Sequence, residues 1–168
     1  MEDLFKPEEK KGINKVFIMA LLFGVIVIGA AIWVLSLKPS MADQTAKILE
    51  GSFREGSPEF AELTKDIIIS TDKNTVESPM VTGTISMFIN GKIRNKGTRT
   101  LNALEINCGV VTQFNEVLKE KRILVVPTQI ERLGPDDIIP VTLSLDGFAK
   151  DDDRANIRWK VTAIRVEK

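Results

Sequence analysis

The stretch from Val16 to Leu37, VFIMALLFGVIVIGAAIWVLSL, contains no charged residue in 22 positions. At about 1.5 Å of rise per residue, an α-helix of this length crosses the ~30 Å hydrocarbon core of a bilayer. Its apolar residues favour insertion by a total on the order of 6 kcal/mol. The stretch therefore predicts a transmembrane helix at residues 16–37 that contacts the lipid bilayer.

A cleaved signal peptide is the alternative interpretation of this stretch, because Ser40, Met41 and Ala42 form a small-x-small cleavage site. The apolar core of a signal peptide normally runs for about 7 to 15 residues. The longer run in this sequence favours a retained membrane anchor.

The residues that flank the span predict its orientation. The tail, residues 1–15, carries four lysines, whereas the nearest basic residues after the span are Lys38, Lys47 and Arg54. Cytoplasmic flanks of membrane helices carry an excess of Lys and Arg. We therefore expect a cytoplasmic N-terminus at the cell inner (plasma) membrane and a periplasmic or extracellular C-terminal domain.

Small residues recur on one face of the predicted span. At about 100° per residue, Ala20, Gly24 and Ala31 fall within about 40° of one another, with Val27 between them in the sequence. Such a stripe lets a second helix approach closely, although Gly and Ala are also common in membrane helices generally. These four positions are candidate helix-packing residues, and Trp33 is a candidate anchor at the membrane interface.

Residues 38–65 are predicted to be a linker with two short helices. Ser40, followed three positions later by Asp43, predicts the start of the first helix. Ser57 with Pro58 in the first-turn position predicts the second. The segment between them, GSFREGS, has the composition of a flexible joint.

From Asp66 onward the hydrophobic period becomes that of β-strands. Two strands alternate clearly, with Ile85, Met87, Ile89 and Ile93 on one face of the first and Leu104, Ile106, Cys108 and Val110 on one face of the second. Strands are predicted at 66–70, 84–94, 104–114, 117–126, 138–145 and 156–167. Residues 66–168 are therefore expected to form an all-β antiparallel sandwich.

The last predicted strand changes phase along its length. Its apolar residues alternate up to Val161 and then resume at Ile164. A slip of one residue moves the following side chains to the opposite face of a sheet. We therefore predict a β-bulge or kink near Thr162.

Two turn signals in this region match a known pattern. Gly91, Ile93, Asn95 and Gly97 fit G-x-[IV]-x-N-x-[GS], and Leu133, Gly134 and Pro135 fit its L-x-P-G-like loop with Gly and Pro reversed. The segment 111–115, VTQFN, lies where an F-x-L-Y-D signature would fall. With these residues, the segment from Thr82 to Val166 resembles the FxLYD-type and water-stress (late-embryogenesis-type) immunoglobulin-like domains. The resemblance implies an immunoglobulin-like sandwich of about seven strands with no established activity and no catalytic residue.

The composition argues against several kinds of chemistry. The chain has no His, and its single cysteine, Cys108, excludes an intramolecular disulfide and a thiolate cluster from one chain. The 23 basic and 23 acidic residues balance, which gives no electrostatic reason to expect nucleic acid as a partner. Cys108 lies on the apolar face of its strand, so we interpret it as a buried structural thiol.

The remaining candidates for chemistry each have a simpler explanation. Asp151, Asp152 and Asp153 could bind calcium, but they lack the spacing of a calcium loop and fit a solvated loop better. A carboxylate-only hydrolase would need a cleft. Copper delivery would need a Cys-Phe-Cys-Phe type of site, whereas the sequence around Cys108 is NCGVV. No catalytic, cofactor-binding or metal site is therefore predicted.

Together these features predict a non-enzymatic single-pass membrane protein. The first hypothesis is an accessory or structural subunit of a larger membrane complex, respiratory, photosynthetic or similar, with membrane protein partners for the helix and for the sandwich. The alternative is a stand-alone membrane-tethered module of the envelope that binds a lipid or a peptide.

Overall fold

The computed structural model of the protein describes residues 15–37 and 40–167, except for the side chain of Met41. These residues form two compact units, which divide between Gln44 and Thr45. The predicted tail up to residue 14 and the flanking residue Lys38 lie outside the described residues.

The apolar stretch forms a single continuous helix, α1 (Lys15–Ser36), as predicted. None of its 22 residues is buried. The helix is long and apolar enough to cross a membrane, a property that it shares with signal sequences near an N-terminus.

Both predicted starts of short helices are confirmed. Before α2 (Met41–Ile48), the Oγ of Ser40 accepts a hydrogen bond from the backbone N–H of Asp43 at 3.1 Å, and the Asp43 carboxylate accepts one from the Ser40 hydroxyl at 2.7 Å. This reciprocal pair is a capping arrangement. Before α3 (Pro58–Thr64), the Oγ of Ser57 accepts from the N–H of Phe60 at 3.2 Å.

Among the described residues, eight strands form two antiparallel sheets, which confirms the predicted all-β architecture. They are β1 (Phe53–Arg54), β2 (Ile67–Thr71), β3 (Val76–Pro79), β4 (Ile85–Asn95), β5 (Leu101–Val111), β6 (Val117–Val126), β7 (Ile138–Phe148) and β8 (Asn156–Val166). One sheet has the order β1-β8-β5-β6; in the other, β4 pairs with β7 along one edge and with both β2 and β3 along the other. The sequence prediction missed β1 and β3, which are too short to produce a period-two pattern.

The core lies between the sheets and contains the alternating residues that the sequence predicted. Ile89 and Ile93 of β4 and Ile106 and Val110 of β5 have no exposed surface. Apolar side chains of both sheets pack together in one cluster with Phe60 and Leu63 of α3, which lies over one side of the sandwich.

The predicted bulge in the last strand is confirmed at the predicted residue. Glu105 pairs with Ala163 and Ile106 pairs with Val161, so Thr162 is the extra residue on β8. Because of the bulge, Val161 before it and Ile164 after it both point into the core, as the change of phase required.

The predicted linker of residues 38–65 needs correction, because much of it belongs to the sandwich. Leu49 is buried against Ala103 and Ala163 on the outer face of the first sheet. Phe53 pairs with Ile164 in β1, in place of the predicted flexible joint. The folded domain therefore begins near Thr45 and not at residue 66. Single apolar residues in a polar segment give no periodic signal, although each covers a specific apolar patch of the sheets.

Asn95 joins the two turn signals that the sequence singled out. Its side chain has only 1% exposure and ends β4 on the core side. The amide nitrogen donates to the carbonyls of Arg99, Leu133 and Gly134 at 2.9, 3.2 and 3.1 Å. The amide oxygen accepts from the N–H of Gly97 at 3.0 Å. One side chain thus ties the end of β4 to the turn before β5 and to the loop before β7.

Gly91 and Gly97 of the same motif are required by close packing. A Cβ on Gly91 would lie 2.9 Å from the carbonyl oxygen of Ser70 and 3.1 Å from the ring of Trp159. A Cβ on Gly97 would lie 3.1 Å from the amide oxygen of Asn95. The spacing of this motif therefore reflects the packing of β4 and of the turn that follows it.

Replacing Asn95 with Asp should lower the free energy of unfolding by about 3 kcal/mol, because a carboxylate oxygen would replace the nitrogen that faces buried carbonyls. The measurement is urea unfolding of the full chain in mild detergent, followed by tryptophan fluorescence. Asn90→Asp, the same change on the outward side of β4, is the control and should cost less than about 1 kcal/mol. Equal losses from the two variants would contradict the role of Asn95.

Candidate functional site

The predicted helix-packing residues lie together on α1. Ala20, Gly24, Val27 and Ala31 are all unburied, and a Cβ added to Gly24 would meet no atom within 4 Å beyond its own helix backbone. Trp33 is 66% exposed near the end of the helix. All five residues belong to α1, and their roles in helix packing and anchoring stay predictions.

Cys108 is fully buried, as predicted. Its side chain lies in an apolar cluster with Ile89, Val110, Leu143 and Phe148. Desolvation by these neighbours raises the pKa of the Cys108 thiol to about 12. The thiolate is the reactive form of cysteine, so this side chain is inert in the folded protein.

The acidic run of residues 151–153 is a loop in which Asp152 and Asp153 bind the backbone. The carboxylate of Asp152 accepts from the N–H of Ala149 at 2.7 Å, and that of Asp153 accepts from the N–H of Gln113 at 3.0 Å. Within residues 15–37 and 40–167, no group of three or more His, Cys, Asp or Glu side chains could hold a metal ion. The run therefore fastens the loop between β7 and β8 to the β5–β6 turn.

Arg154 follows the aspartates and fastens the same loop from the other side. Its guanidinium makes two contacts with the carboxylate of Glu77 on β3, at 3.0 and 3.1 Å, and donates to the carbonyl of Ala149 at 2.8 Å. The guanidinium carbon also lies 5.9 Å from the centre of the Phe148 ring. The hydrogen bonds to Glu77 raise the pKa of Arg154 above its ordinary value.

An open groove runs along the side of the sandwich between β8 and β2. It has a volume of about 430 Å³ and is lined by Phe60, Thr64, Ile67, Ile69, Trp159, Lys160 and Val161. The indole N–H of Trp159 donates to the hydroxyl of Thr71 at 2.9 Å across the groove. Five of its seven lining residues are apolar, and Thr64 and Lys160 are polar.

A second pocket lies where the chain enters the sandwich. It has a volume of about 470 Å³ and is lined by Gly51, Phe53, Asn102, Arg165 and Val166. The guanidinium of Arg165 donates to the carbonyls of Ile48 and Glu50 at 2.8 and 2.7 Å, which fixes the end of α2 to β8.

Comparisons with known proteins give similarity of structure and no family. No protein-family model matches the chain, and no curated protein matches it. The X-ray structure of a Northeast Structural Genomics Consortium target is 9% identical with a TM-score of 0.40, covering 62% of this chain and 86% of the other. A crystal structure from Bordetella pertussis, of a protein provisionally named ApaA, is 14% identical with a TM-score of 0.36, covering 61% and 90%.

Sequence reasoning did not identify the groove or the contacts of Arg154. The alternation of β8 placed Trp159 on the inward side correctly, but nothing in a strand's own residues reveals whether a neighbour covers its edge. The bonds of Arg154 likewise depend on Glu77, which lies 77 positions earlier in the chain. Both features depend on contacts between residues that are far apart in sequence, and local sequence patterns do not reveal such contacts.

Cys108 should react with a membrane-impermeant maleimide only after the protein unfolds, because the folded thiol is both covered and protonated. The unfolded thiol ionises above its ordinary pKa of 9.0 and the folded one only near 12, so this residue's contribution to stability falls as pH rises through that interval. Labelling is measured by mass spectrometry at pH 8 with and without urea. Phe114→Cys in a Cys108→Ala background, at a site 77% exposed, should label at once. Comparable labelling of native Cys108 would contradict its burial.

Proposed function

We propose that this chain is a non-enzymatic single-pass membrane protein of the inner (plasma) membrane, an accessory or structural subunit of a larger membrane complex. The observation that supports the proposal is the state of α1, a helix of 22 residues that is apolar enough to cross a membrane and has no buried residue. A continuous apolar surface of this size is incompatible with free exposure to water. A bilayer is the environment that would cover it.

The open stripe of α1 supports a role within a complex more than a role as a simple tether. Inside a bilayer, apolar side chains gain nothing by leaving lipid for another helix, so close backbone approach at small residues becomes the main source of attraction. Ala20, Gly24 and Ala31 provide such a surface, and Val27 lies beside it. The sandwich would then bind a part of the same partner that lies outside the membrane.

The contacts of the charged residues are consistent with a non-enzymatic role. Arg154 is held by Glu77, Lys160 by Glu55 at 2.7 Å, and the aspartates 152 and 153 by backbone N–H groups. Each of these charges is used to fasten one part of the sandwich to another.

The second candidate is a tethered module that binds a lipid or a peptide. The pocket beside Phe53 and Val166 favours it, since this pocket is large enough for a small apolar group. In this case the helix would serve only as an anchor.

The proposed orientation predicts that Phe114→Cys, in a Cys108→Ala background, reacts with an impermeant maleimide in intact spheroplasts of a bacterial host. Glu9→Cys in the same background should react only after lysis, because the positive flank of the span is expected to stay inside. The reverse pattern would contradict the orientation, and labelling of neither would contradict an exposed sandwich.

A subunit should retain partners in fixed stoichiometry when it is purified in mild detergent from its native membrane. Gly24→Leu should reduce the retained partner at least fivefold, because the larger side chain holds a second helix away. The matched control is Gly29→Leu, which adds the same side chain about 140° around the helix from Gly24 and should leave the yield within twofold. Yields are measured by quantitative mass spectrometry.

Two outcomes would contradict this proposal in different ways. Normal co-purification of Gly24→Leu would mean that the stripe is not the contact. Purification of the unmodified chain without any partner in fixed stoichiometry would overturn the subunit role and favour the tethered module.

A further inference from the structure

The two edges of β8 are paired very differently. Along one edge β8 pairs with β5 over its whole length, from Asn156 to Val166. Along the other, β1 supplies only Phe53 and Arg54, opposite Ile164 and Ala163. Within the part of the chain that the structure describes, residues 156–162 of β8 therefore have no strand beside them. Half of the backbone N–H and C=O groups in such a stretch face outward and are available for pairing.

The groove beside this stretch suits alternate side chains of an added strand. Trp159, Lys160 and Val161 line it from β8, Ile67 and Ile69 line it from β2, and α3 closes one end with Phe60 and Thr64. Neighbouring strands lie about 4.8 Å apart, and their side chains alternate between the two faces of a sheet. A strand paired with β8 would therefore direct every second side chain towards the apolar residues that line the groove.

The remaining side chains of an added strand would lie on the face of the sheet that points away from the core. The charges of β8 on this outer face indicate which residue types would suit those positions. Arg158 and Lys160 point to that face, and Lys160 already binds Glu55, the residue that follows β1 along the same edge. Arg158 donates to the amide oxygen of Asn115 at 2.8 Å, and no ion pair of Arg158 occurs among the described residues. An acidic residue next to Arg158 would repeat the contact that the chain itself makes at Lys160.

A second copy of this chain does not fit the same edge. Antiparallel pairing of two β8 strands about a two-fold axis would bring Arg158 and Lys160 of one copy beside those of the other. Like charges in neighbouring positions of paired strands are destabilising. The edge therefore favours a different partner.

We propose that the free edge of β8 binds an extended segment of a partner protein by strand addition, with apolar side chains directed into the groove and acidic ones beside Arg158. Main-chain hydrogen bonds hold the segment, and the alternation of apolar and acidic residues selects it. The inference rests on the proposed function for the source of the segment, which is a subunit of the same complex.

The test uses the purified full chain in detergent micelles with Trp33 replaced by Phe, which leaves Trp159 as the single tryptophan. The probe is the peptide acetyl-Val-Glu-Val-Glu-Val-Glu-Val-amide. Titration should give a saturable change in the fluorescence of Trp159. The peptide with Lys in place of Glu should bind at least tenfold more weakly, and a version methylated on its backbone nitrogens should lose at least tenfold in affinity.

Two charge reversals locate the binding edge. Arg158→Glu should weaken binding of the acidic peptide at least fivefold and strengthen binding of the basic one. Arg122→Glu is the matched control, since it makes the same change on β6, at the opposite edge of the same sheet, and should alter the affinity less than twofold. Both side chains are exposed, so neither change should unfold the protein.

Three results would overturn the proposal: no saturable binding of the acidic peptide, equal binding of acidic and basic peptides, or full binding of the methylated peptide. These outcomes are independent of the co-purification test, because the binding is measured on purified protein. A failure at β8 would leave the helix-based role intact, and a failure of co-purification would leave the strand-binding edge intact.

Discussion

The buried amide of Asn95 is the contact on which the arrangement of the two sheets depends. It lies at the end of β4 and donates to carbonyls before β5 and before β7, so that it fixes the path of the chain from one sheet to the other. The backbone N–H of Asn95 also donates to Asp137, and its carbonyl accepts from Asp136. A buried polar group without a partner costs about 1 to 3 kcal/mol. The Asn95 amide is a donor to three carbonyls, and those of Leu133 and Gly134 also accept a backbone N–H. The adjacent Gly97 leaves the room that this amide needs.

The charged residues of the sandwich have a common structural role at its surface. Arg154, Arg165 and Lys160 each connect segments that are far apart in sequence, namely β3 to the β7–β8 loop, α2 to β8, and the end of β1 to β8. Arg165 and Lys160 bind residues of the segment that lies between α1 and β2. The region that connects the helix to the sandwich is therefore held against β8 by polar contacts as well as by Leu49 and Phe60.

The strand β8 is paired along both edges in one half and along a single edge in the other. Beyond the bulge at Thr162, it is flanked by β5 and β1 and lies under Leu49. Before the bulge, only β5 pairs with β8, and the unpaired edge borders the groove at Trp159. The bulge separates these two halves, since it changes which side chains of β8 face the core. A strand that is fixed at one end and open at the other is suited to receive a segment of another chain.

The sequence alone determined the features that repeat along the chain. Length and lack of charge identified α1, period-two alternation located the six longer strands and their inward residues, and a one-residue change of phase located the bulge at Thr162. Turn composition singled out Asn95, Gly97 and the loop from Leu133, because Asn, Gly and Pro are enriched in turns.

Only the tertiary structure decided which distant segments meet. The assignment of residues 45–65 to the folded domain, the three carbonyls bound by Asn95, the clamp of Arg154 on Glu77 and the open edge of β8 all depend on contacts between positions far apart in sequence. Isolated apolar or charged residues carry no period, and a strand's own residues look the same whether its edge is covered or free. The sequence therefore specified the elements, whereas packing decided their neighbours and left the β8 edge exposed.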